Sequence, residues 1–178
     1  MVFSSPEDVI RRLITLDEEL LVLSDRELPI TIVIFGGSAV LLITQEARVT
    51  KDIDAYLYGD ITRAEMELFN KYDINNNLQG GDSLDGFIDR ADEIQLEFKR
   101  LRVYTADPMD IIIHKLLNRG DDRDIEDVIV LLDYVGDLEH LKNMYNEALK
   151  YTGAGNPTRY WDIDSIYDKY YVRKGYSS

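Results

Sequence analysis

Two short features of this sequence carry residue types suited to binding phosphate and a metal ion. Asp52 and Asp54 stand two residues apart, and the glycine pair Gly36-Gly37 follows the apolar run ITIVIF. Residues two apart on a strand point to the same face, so the two carboxylates are predicted to lie side by side. Adjacent carboxylates repel each other unless a cation lies between them. The spacing therefore predicts a site for a hard divalent cation such as Mg²⁺.

The glycine pair is typical of a tight turn from a strand into a helix. Glycine lets a ligand approach the main chain closely, and a helix that starts near Ser38 presents N–H groups to phosphate. Neither G-x-x-x-x-G-K-[ST] nor G-x-G-x-x-G is present, which disfavours the P-loop and Rossmann types of nucleotide site. Each feature alone also has a purely structural interpretation: a tight turn for the glycines, and a solvated strand face for the aspartates.

A second group of charged residues lies between positions 107 and 131. Asp124 and Asp127 are three apart and share one face of a predicted helix, and Lys115 lies on the helix before it. Apolar residues from Ile125 onward form the opposite face. Exposed helices often carry such charges, so a solvated helix face is the alternative interpretation.

Hydrophobic periodicity and capping residues predict an α+β fold with layers of helices and strands. The predicted order is helix, strand, helix, strand, helix, strands and then helices, with the helices concentrated towards the C-terminus. We expect one domain over 1–135 and a helical extension over 136–178 that packs on it. The predicted helices are 6–24, 38–46, 62–72, 108–118, 122–135, 137–151 and the tail 158–172; the strands are 30–35, 52–58 and material in 93–105; a loop is predicted at 73–86 and a turn at 153–157.

Composition excludes several classes of function. The net charge of −14 argues against non-specific DNA binding, because that affinity comes from Lys and Arg on phosphates. The acidity gives solubility or fits a basic partner. The chain has no cysteine and two histidines, which excludes thiolate sites and disfavours a multi-histidine zinc site. Neither a membrane span nor a signal peptide is expected, so the predicted location is the cytoplasm.

The two features of the first half together resemble a known signature. Gly37-Ser38, thirteen residues and then Asp52-Ile53-Asp54-Ala55 are similar to the motifs of the DNA polymerase beta superfamily of nucleotidyltransferases. The longer strings GGSAVLL and RVTKDID resemble its abortive-infection toxin branch, the AbiEii group. The resemblance covers roughly residues 30–135, and it implies a nucleotidyltransferase fold with a small mixed sheet, flanking helices and extra C-terminal helices.

The resemblance implies a role for each motif residue. In that superfamily the glycine turn holds a nucleoside triphosphate, which assigns Gly36, Gly37 and Ser38 to phosphate. The two aspartates bind Mg²⁺ or Mn²⁺ for an in-line attack on the α-phosphate, which assigns Asp52 and Asp54 to the metal.

Further roles implied by the resemblance concern later residues. Lys115 is expected to contact the nucleotide, and Asp124 or Asp127 to act as base, with the choice between them open. The remaining expected site residues are Lys51 and Arg123 for the nucleotide and Glu97 as a third metal carboxylate on a strand.

The partners implied by the resemblance are a nucleoside triphosphate, a hydroxyl acceptor on a tRNA or a protein, and an antitoxin. The alternative function is a non-catalytic module of the same fold that binds a nucleotide or a partner, because a fold by itself does not fix a function. Asp52, Asp54 and Lys115 are all present, which favours the enzyme.

Overall fold

The computed structural model describes residues 3–46, 49–76, 86–118, 121–151 and 161–176. The chain divides into two compact units. The sheet unit comprises Met1–Gln79 with Gly86–Asp107, and the helical unit comprises Gly80–Asp85 with Pro108–Ser178. The predicted domain boundary at 135/136 stays a prediction. The predicted turn at 153–157 and most of the predicted loop at 73–86 lie outside the described residues.

The sheet unit places a mixed sheet against helices. Its elements are α1 (Pro6–Leu23), β1 (Ile30–Ile34), α2 (Gly36–Thr44), β2 (Ile53–Tyr58), α3 (Arg63–Lys71), β3 (Ile74–Asn75), α4 (Phe87–Arg90), β4 (Asp92–Glu93) and β5 (Leu101–Thr105). The strands pair in the order β3-β2-β1-β5-β4, and β1 pairs antiparallel with β2 and parallel with β5. The predicted α+β class with a small mixed sheet is confirmed.

The two faces of this sheet differ in their side chains. Directly paired residues share a face, so the register separates one apolar set from one mixed set. We call these the core face and the second face. The core face carries the buried residues Ile30, Ile32, Ile34, Ile53, Ala55, Leu57, Leu101 and Val103; the second face carries Thr31, Val33, Asp54, Tyr56, Tyr58, Arg102 and Tyr104.

The strand material expected within 93–105 is confirmed at Glu93 and in β5, whereas residues 94–100 do not form a strand. Leu96 N–H donates to Ile94 O and Phe98 N–H donates to Leu96 O, which is the bonding of tight turns rather than of a strand. The buried carboxylate of Asp17 on α1 then accepts three successive N–H groups, those of Lys99 (2.7 Å), Arg100 (2.7 Å) and Leu101 (2.9 Å). A side chain thus takes the place of a neighbouring strand, and β5 begins only at Leu101.

Replacement of Asp17 by asparagine is expected to lower the free energy of unfolding by about 3 kcal/mol, because three charge-assisted hydrogen bonds are lost or weakened. Urea denaturation followed by circular dichroism measures the change. The control is Glu18→Gln, an exposed neighbour on the same helix, for which a change within about 0.5 kcal/mol is expected. Equal stability of the two variants would contradict the anchoring role of Asp17.

The helical unit contains four α-helices among its described residues. They are α5 (Pro108–Asn118), α6 (Asp122–Leu131), α7 (Leu138–Tyr151) and α8 (Ile163–Arg173), with a 3-10 turn at Leu132–Tyr134 after α6. The predicted helix over 122–135 therefore ends four residues early as an α-helix. In α8, Ile163 and Ile166 are buried, and Tyr167 donates to the carbonyl of Leu138 (2.6 Å). Burial raises the pKa of Tyr167 to about 12. None of the helices among the described residues has the length and apolar content that crossing a membrane requires.

Candidate active site

The glycine pair and the aspartate pair of the sequence are brought into direct contact in the sheet unit. Gly36 has a φ of +61°, a left-handed conformation that favours glycine. A Cβ atom on Gly36 would lie 2.6 Å from Oδ2 of Asp54, closer than any real Cβ contact. The main chain at Gly36 is therefore pressed against the carboxylate of Asp54, and only glycine fits there.

Main-chain and side-chain hydrogen bonds hold the glycine turn to the aspartate segment. Phe35 N–H donates to Asp54 O (2.8 Å), and Ser38 Oγ donates to Asp52 O (2.7 Å). Thr50 Oγ1 also donates to Asp52 O (3.3 Å). Ser38 is fully buried, so its hydroxyl joins the turn to the strand, which is a different role from the phosphate contact predicted for it.

Helix α2 begins at Gly36, two residues earlier than predicted, so the glycine pair forms its first turn. The first N–H groups of a helix have no acceptor one turn back, and they favour an anion. The first bond of this helix is Ala39 N–H to Phe35 O (3.2 Å). A Cβ atom on Gly37 would lie 3.1 Å from Thr50 Oγ1, so this glycine too is packed closely.

Asp52 has a neighbour that the sequence did not reveal. Asp52 directly precedes β2, and its Oδ2 accepts a hydrogen bond from Nδ2 of Asn75 (3.1 Å). Asn75 reaches this place because β3 pairs parallel with β2 and sets Asn75 opposite Asp54. The polar composition of 73–86 indicated a loop, and a strand of only two residues leaves too short a pattern to detect.

For the nucleotide transfer that the resemblance implies, replacement of Asn75 by alanine is expected to lower the rate by about 10- to 100-fold, because Asp52 loses the donor that orients its carboxylate. The rate of label transfer from an α-labelled nucleoside triphosphate measures the effect. Asn76→Ala, at the exposed next position, is the matched control and should retain the wild-type rate. An unchanged rate in Asn75→Ala would show that Asp52 does not depend on this bond.

The helical unit buries a triad of charges. Lys115 Nζ on α5 lies 2.7 Å from Asp124 Oδ1 and 2.8 Å from Asp127 Oδ2, both on α6. The three side chains are 7%, 5% and 5% exposed. The carboxylate of Asp121 caps α6 by accepting from Asp124 N–H (2.9 Å), which fixes the start of that helix. The shared face predicted for the two aspartates is thus turned inward, onto Lys115.

The other predicted site residues are more exposed. Lys51 lies on the surface beside Asp52, and Arg123 is exposed on α6. Glu97 is exposed in the irregular segment before β5, at the end of the sheet where Ile30 pairs with Leu101. Asp54 lies at the opposite end, so the structure does not bring Glu97 to the aspartate pair. The roles predicted for Lys51, Arg123, Lys115, Asp124 and Asp127 stay predictions.

Comparison with known families decides the class of protein. A family model described as "Nucleotidyltransferase of unknown function (DUF6036)" matches residues 11–174, most of the chain. The chain belongs to this family. Membership of DUF6036 supports the nucleotidyltransferase class predicted from the glycine and aspartate motifs, and the toxin branch stays a prediction.

The solved structures to which the DUF6036 chain is similar include an antigenic nucleotidyltransferase-like protein from Paracoccidioides brasiliensis. The sequences are 15% identical, the match covers 84% of this chain and 90% of the other, and the TM-score is 0.48. A comparison with proteins of curated function finds no match.

The carboxylates of this DUF6036 protein fit a metal that is shared with a substrate. Among the residues that the structure describes, no three Asp, Glu, His or Cys side chains group closely enough to enclose a metal ion. Mg²⁺ commonly takes one or two carboxylates and completes its shell with water and substrate phosphates. Asp52 and Asp54, beside a helix start suited to phosphate, match that pattern.

Proposed function

We propose that the protein is a Mg²⁺- or Mn²⁺-dependent nucleotidyltransferase that moves a nucleoside monophosphate from a nucleoside triphosphate to a hydroxyl acceptor. The contact between Gly36 and the carboxylate of Asp54 carries the proposal, since it sets a phosphate-binding helix start against a metal-binding side chain. Membership of a nucleotidyltransferase family supports the reaction class.

In this proposal, different residues of the sheet unit bind the phosphates and the metal ion. The N–H groups of Gly36 and Gly37, which are half-buried, bind phosphate oxygens at the start of α2. Asp52 and Asp54 hold the metal, which when bound offsets the negative charge of the phosphates. Asn75 positions Asp52 through its side-chain amide, and the Ser38 hydroxyl keeps the aspartate segment against the turn. Lys51 supplies a cation for the nucleotide, and the resemblance assigns a further cation to Arg123 of the helical unit.

The proposed step is a single displacement at phosphorus. The acceptor oxygen forms a bond to the α-phosphorus, the bond from that phosphorus to the bridging oxygen breaks, and pyrophosphate leaves. The proton of the acceptor hydroxyl passes to a carboxylate. The resemblance assigns this role to Asp124 or Asp127 and assigns Lys115 to the nucleotide. Asp124→Asn and Asp127→Asn, compared in one assay, identify which carboxylate takes the proton.

The test is transfer of label from each α-labelled nucleoside triphosphate, with Mg²⁺ or Mn²⁺ and with total tRNA or cell lysate as acceptor. We expect label on an acceptor with the wild type and none with Asp52→Asn/Asp54→Asn. The class of labelled acceptor identifies the substrate. If no labelling depends on these aspartates, the alternative of a non-catalytic nucleotide- or partner-binding module replaces the proposal.

The toxin role implied by the resemblance forms the second part of the proposal. Induced expression in a bacterial host is expected to arrest growth with the wild type and to leave growth normal with Asp52→Asn/Asp54→Asn. Co-expression of an antitoxin should restore growth. Normal growth with a wild-type protein that labels an acceptor in vitro would retain the nucleotidyltransferase and reject the toxin.

A further inference from the structure

A groove of about 910 Å³ opens on the sheet unit away from the glycine turn. It lies beside the first residues of β1 and the last residues of β2. A cavity of this size is in the range of small-molecule and nucleotide sites. Its lining includes Arg26, Thr31, Tyr56, Tyr58 and Arg102.

Three of these residues form a row across the second face of the sheet. Thr31 on β1 pairs with Tyr58 on β2 and with Arg102 on β5. Paired residues point to the same face, so an aromatic ring, a hydroxyl and a guanidinium stand side by side at strand spacings of about 4.8 Å. Such a row matches the parts of a nucleotide, which are a planar base, polar edges and a phosphate.

The row shares its face with the proposed metal ligand. Asp54, Tyr56 and Tyr58 alternate along β2 and all point to the second face. Tyr58 is four residues beyond Asp54, which corresponds to about 13 Å along a strand. Gly36 adjoins Asp54 where β1 ends, whereas Thr31 lies near its beginning. The glycine turn and the groove thus lie on opposite sides of Asp54 along the sheet.

The geometry of in-line displacement relates the glycine turn to the leaving group and the groove to the acceptor. The attacking oxygen and the leaving pyrophosphate lie on opposite sides of the α-phosphorus. With the leaving phosphates at the glycine turn, the acceptor approaches from the other side of Asp54. The groove lies on that side.

The groove residues differ in how firmly they are held. Arg26 donates to Glu65 (2.9 Å) and to the carbonyl of Asp60 (3.1 Å). Its guanidinium is therefore held in place and forms one side of the groove. Arg102 makes a long, exposed ion pair with Glu93 (3.9 Å). Such pairs contribute little to the free energy of unfolding, so the Arg102 guanidinium can exchange Glu93 for a phosphate.

The two tyrosines of the groove differ in the same way. Tyr56 is held edge-on by Phe87, with ring centroids 5.4 Å apart. Tyr58 is 61% exposed, so its ring is open to stacking.

We propose that this groove binds the terminal nucleoside of an RNA acceptor, with the base stacked on Tyr58 and a backbone phosphate on Arg102. The inference rests on the proposed nucleotidyltransferase function and names its acceptor class. Glu27 and Asp60 also line the groove and balance its two arginines. On a chain with a net charge of −14, this limits the contact to the end of the RNA rather than to a long stretch.

The test measures binding without turnover. A 5′-fluorescein-labelled RNA hexamer with a free 3′-hydroxyl is titrated with the Asp52→Asn/Asp54→Asn protein, and fluorescence anisotropy gives the Kd. Adding Tyr58→Ala is expected to weaken binding about tenfold or more, whereas Tyr58→Phe, which keeps the ring, retains the Kd. Adding Arg102→Gln weakens binding and lowers the slope of log affinity against log salt concentration by about 0.7.

Several results would overturn the inference. One is the absence of RNA binding, and another is an equal Kd for Tyr58→Ala and Tyr58→Phe. Label that depends on Asp52 and Asp54 but appears on protein and not on RNA would reject the RNA acceptor while keeping the nucleotidyltransferase. RNA binding that depends on Tyr58, without any labelling that depends on the aspartates, would keep the groove and reject the proposed reaction.

Discussion

Replacement of Gly36 by alanine is expected to lower nucleotide transfer by at least about 100-fold. The φ of +61° at this position costs an alanine about 1–2 kcal/mol. Its Cβ would lie 2.6 Å from Asp54 Oδ2, so the carboxylate must shift away from the turn. A displacement of this kind at the proposed metal ligand Asp54 acts directly on the proposed reaction, because the reacting groups depend on positions held to within about 1 Å.

Gly37→Ala is the matched control for Gly36. The φ of Gly37 is not in the left-handed region, and its Cβ would meet the Thr50 side chain at 3.1 Å. Thr50 can give way by a small shift, so we expect a loss of transfer well below that of Gly36→Ala. The rate of label transfer and the thermal midpoint are measured for both variants. Equal rates in the two would contradict the special position of Gly36 against Asp54.

Replacement of Lys115 by methionine is expected to lower the free energy of unfolding by about 3–5 kcal/mol. The side chain of Lys115 lies between Asp124 and Asp127 at 2.7 and 2.8 Å, and all three are almost fully buried. Without the cation, two carboxylates face each other away from water. Removal of one partner from a buried ion cluster costs much more than the cluster contributes, because the remaining charges are uncompensated.

The pH dependence of the Lys115→Met variant distinguishes this explanation from a packing defect. Burial and mutual repulsion raise the pKa of carboxylates in the folded variant above the value in the unfolded chain. The folded state then binds more protons, so stability rises as the pH falls. We expect the free energy of unfolding of Lys115→Met to lie closer to the wild-type value at pH 5 than at pH 7. A deficit independent of pH would indicate lost packing instead.

Lys150→Met provides the control in the same unit. Lys150 pairs with Glu147 on α7, and both side chains are more than half exposed. Exposed pairs contribute about 0–1 kcal/mol, so this variant should unfold close to the wild type at both pH values. Urea titration followed by circular dichroism serves for both variants.

Local signals in the sequence predicted most of the helices. At α1, Ser5 and Asp8 form a reciprocal capping box around Pro6, and the apolar residues that follow are buried at helical spacing. These signals lie within a few residues of the element that they define. Within the strand material expected over 93–105, residues 94–100 fail to form a strand for the opposite reason. Their alternating side chains resemble a strand, but the end of this segment depends on Asp17, more than eighty residues earlier.

Some features of the site likewise follow from nearby residues in the sequence, and others depend on contacts between distant elements. The resemblance carried by the glycine pair and the aspartates implied that both belong to one site, and the structure brings Gly36 to Asp54. The hydrogen bond from Asn75 to Asp52 depends on strand pairing, and the burial of Lys115 depends on how α5 packs on α6. A single sequence carries little information on either, because both are set by contacts between elements.

The bonds that join Phe35 and Ser38 to the aspartate segment have a consequence for the energetics of binding. One is a main-chain bond, and the other runs from the Ser38 hydroxyl to a main-chain carbonyl; together they tie the turn to the segment without any contribution from a ligand. Under the proposed function, a nucleotide therefore meets its phosphate donors and its carboxylates already in place. On association, the triphosphate rather than the protein loses most of the conformational entropy. A larger part of the interaction free energy therefore contributes to affinity.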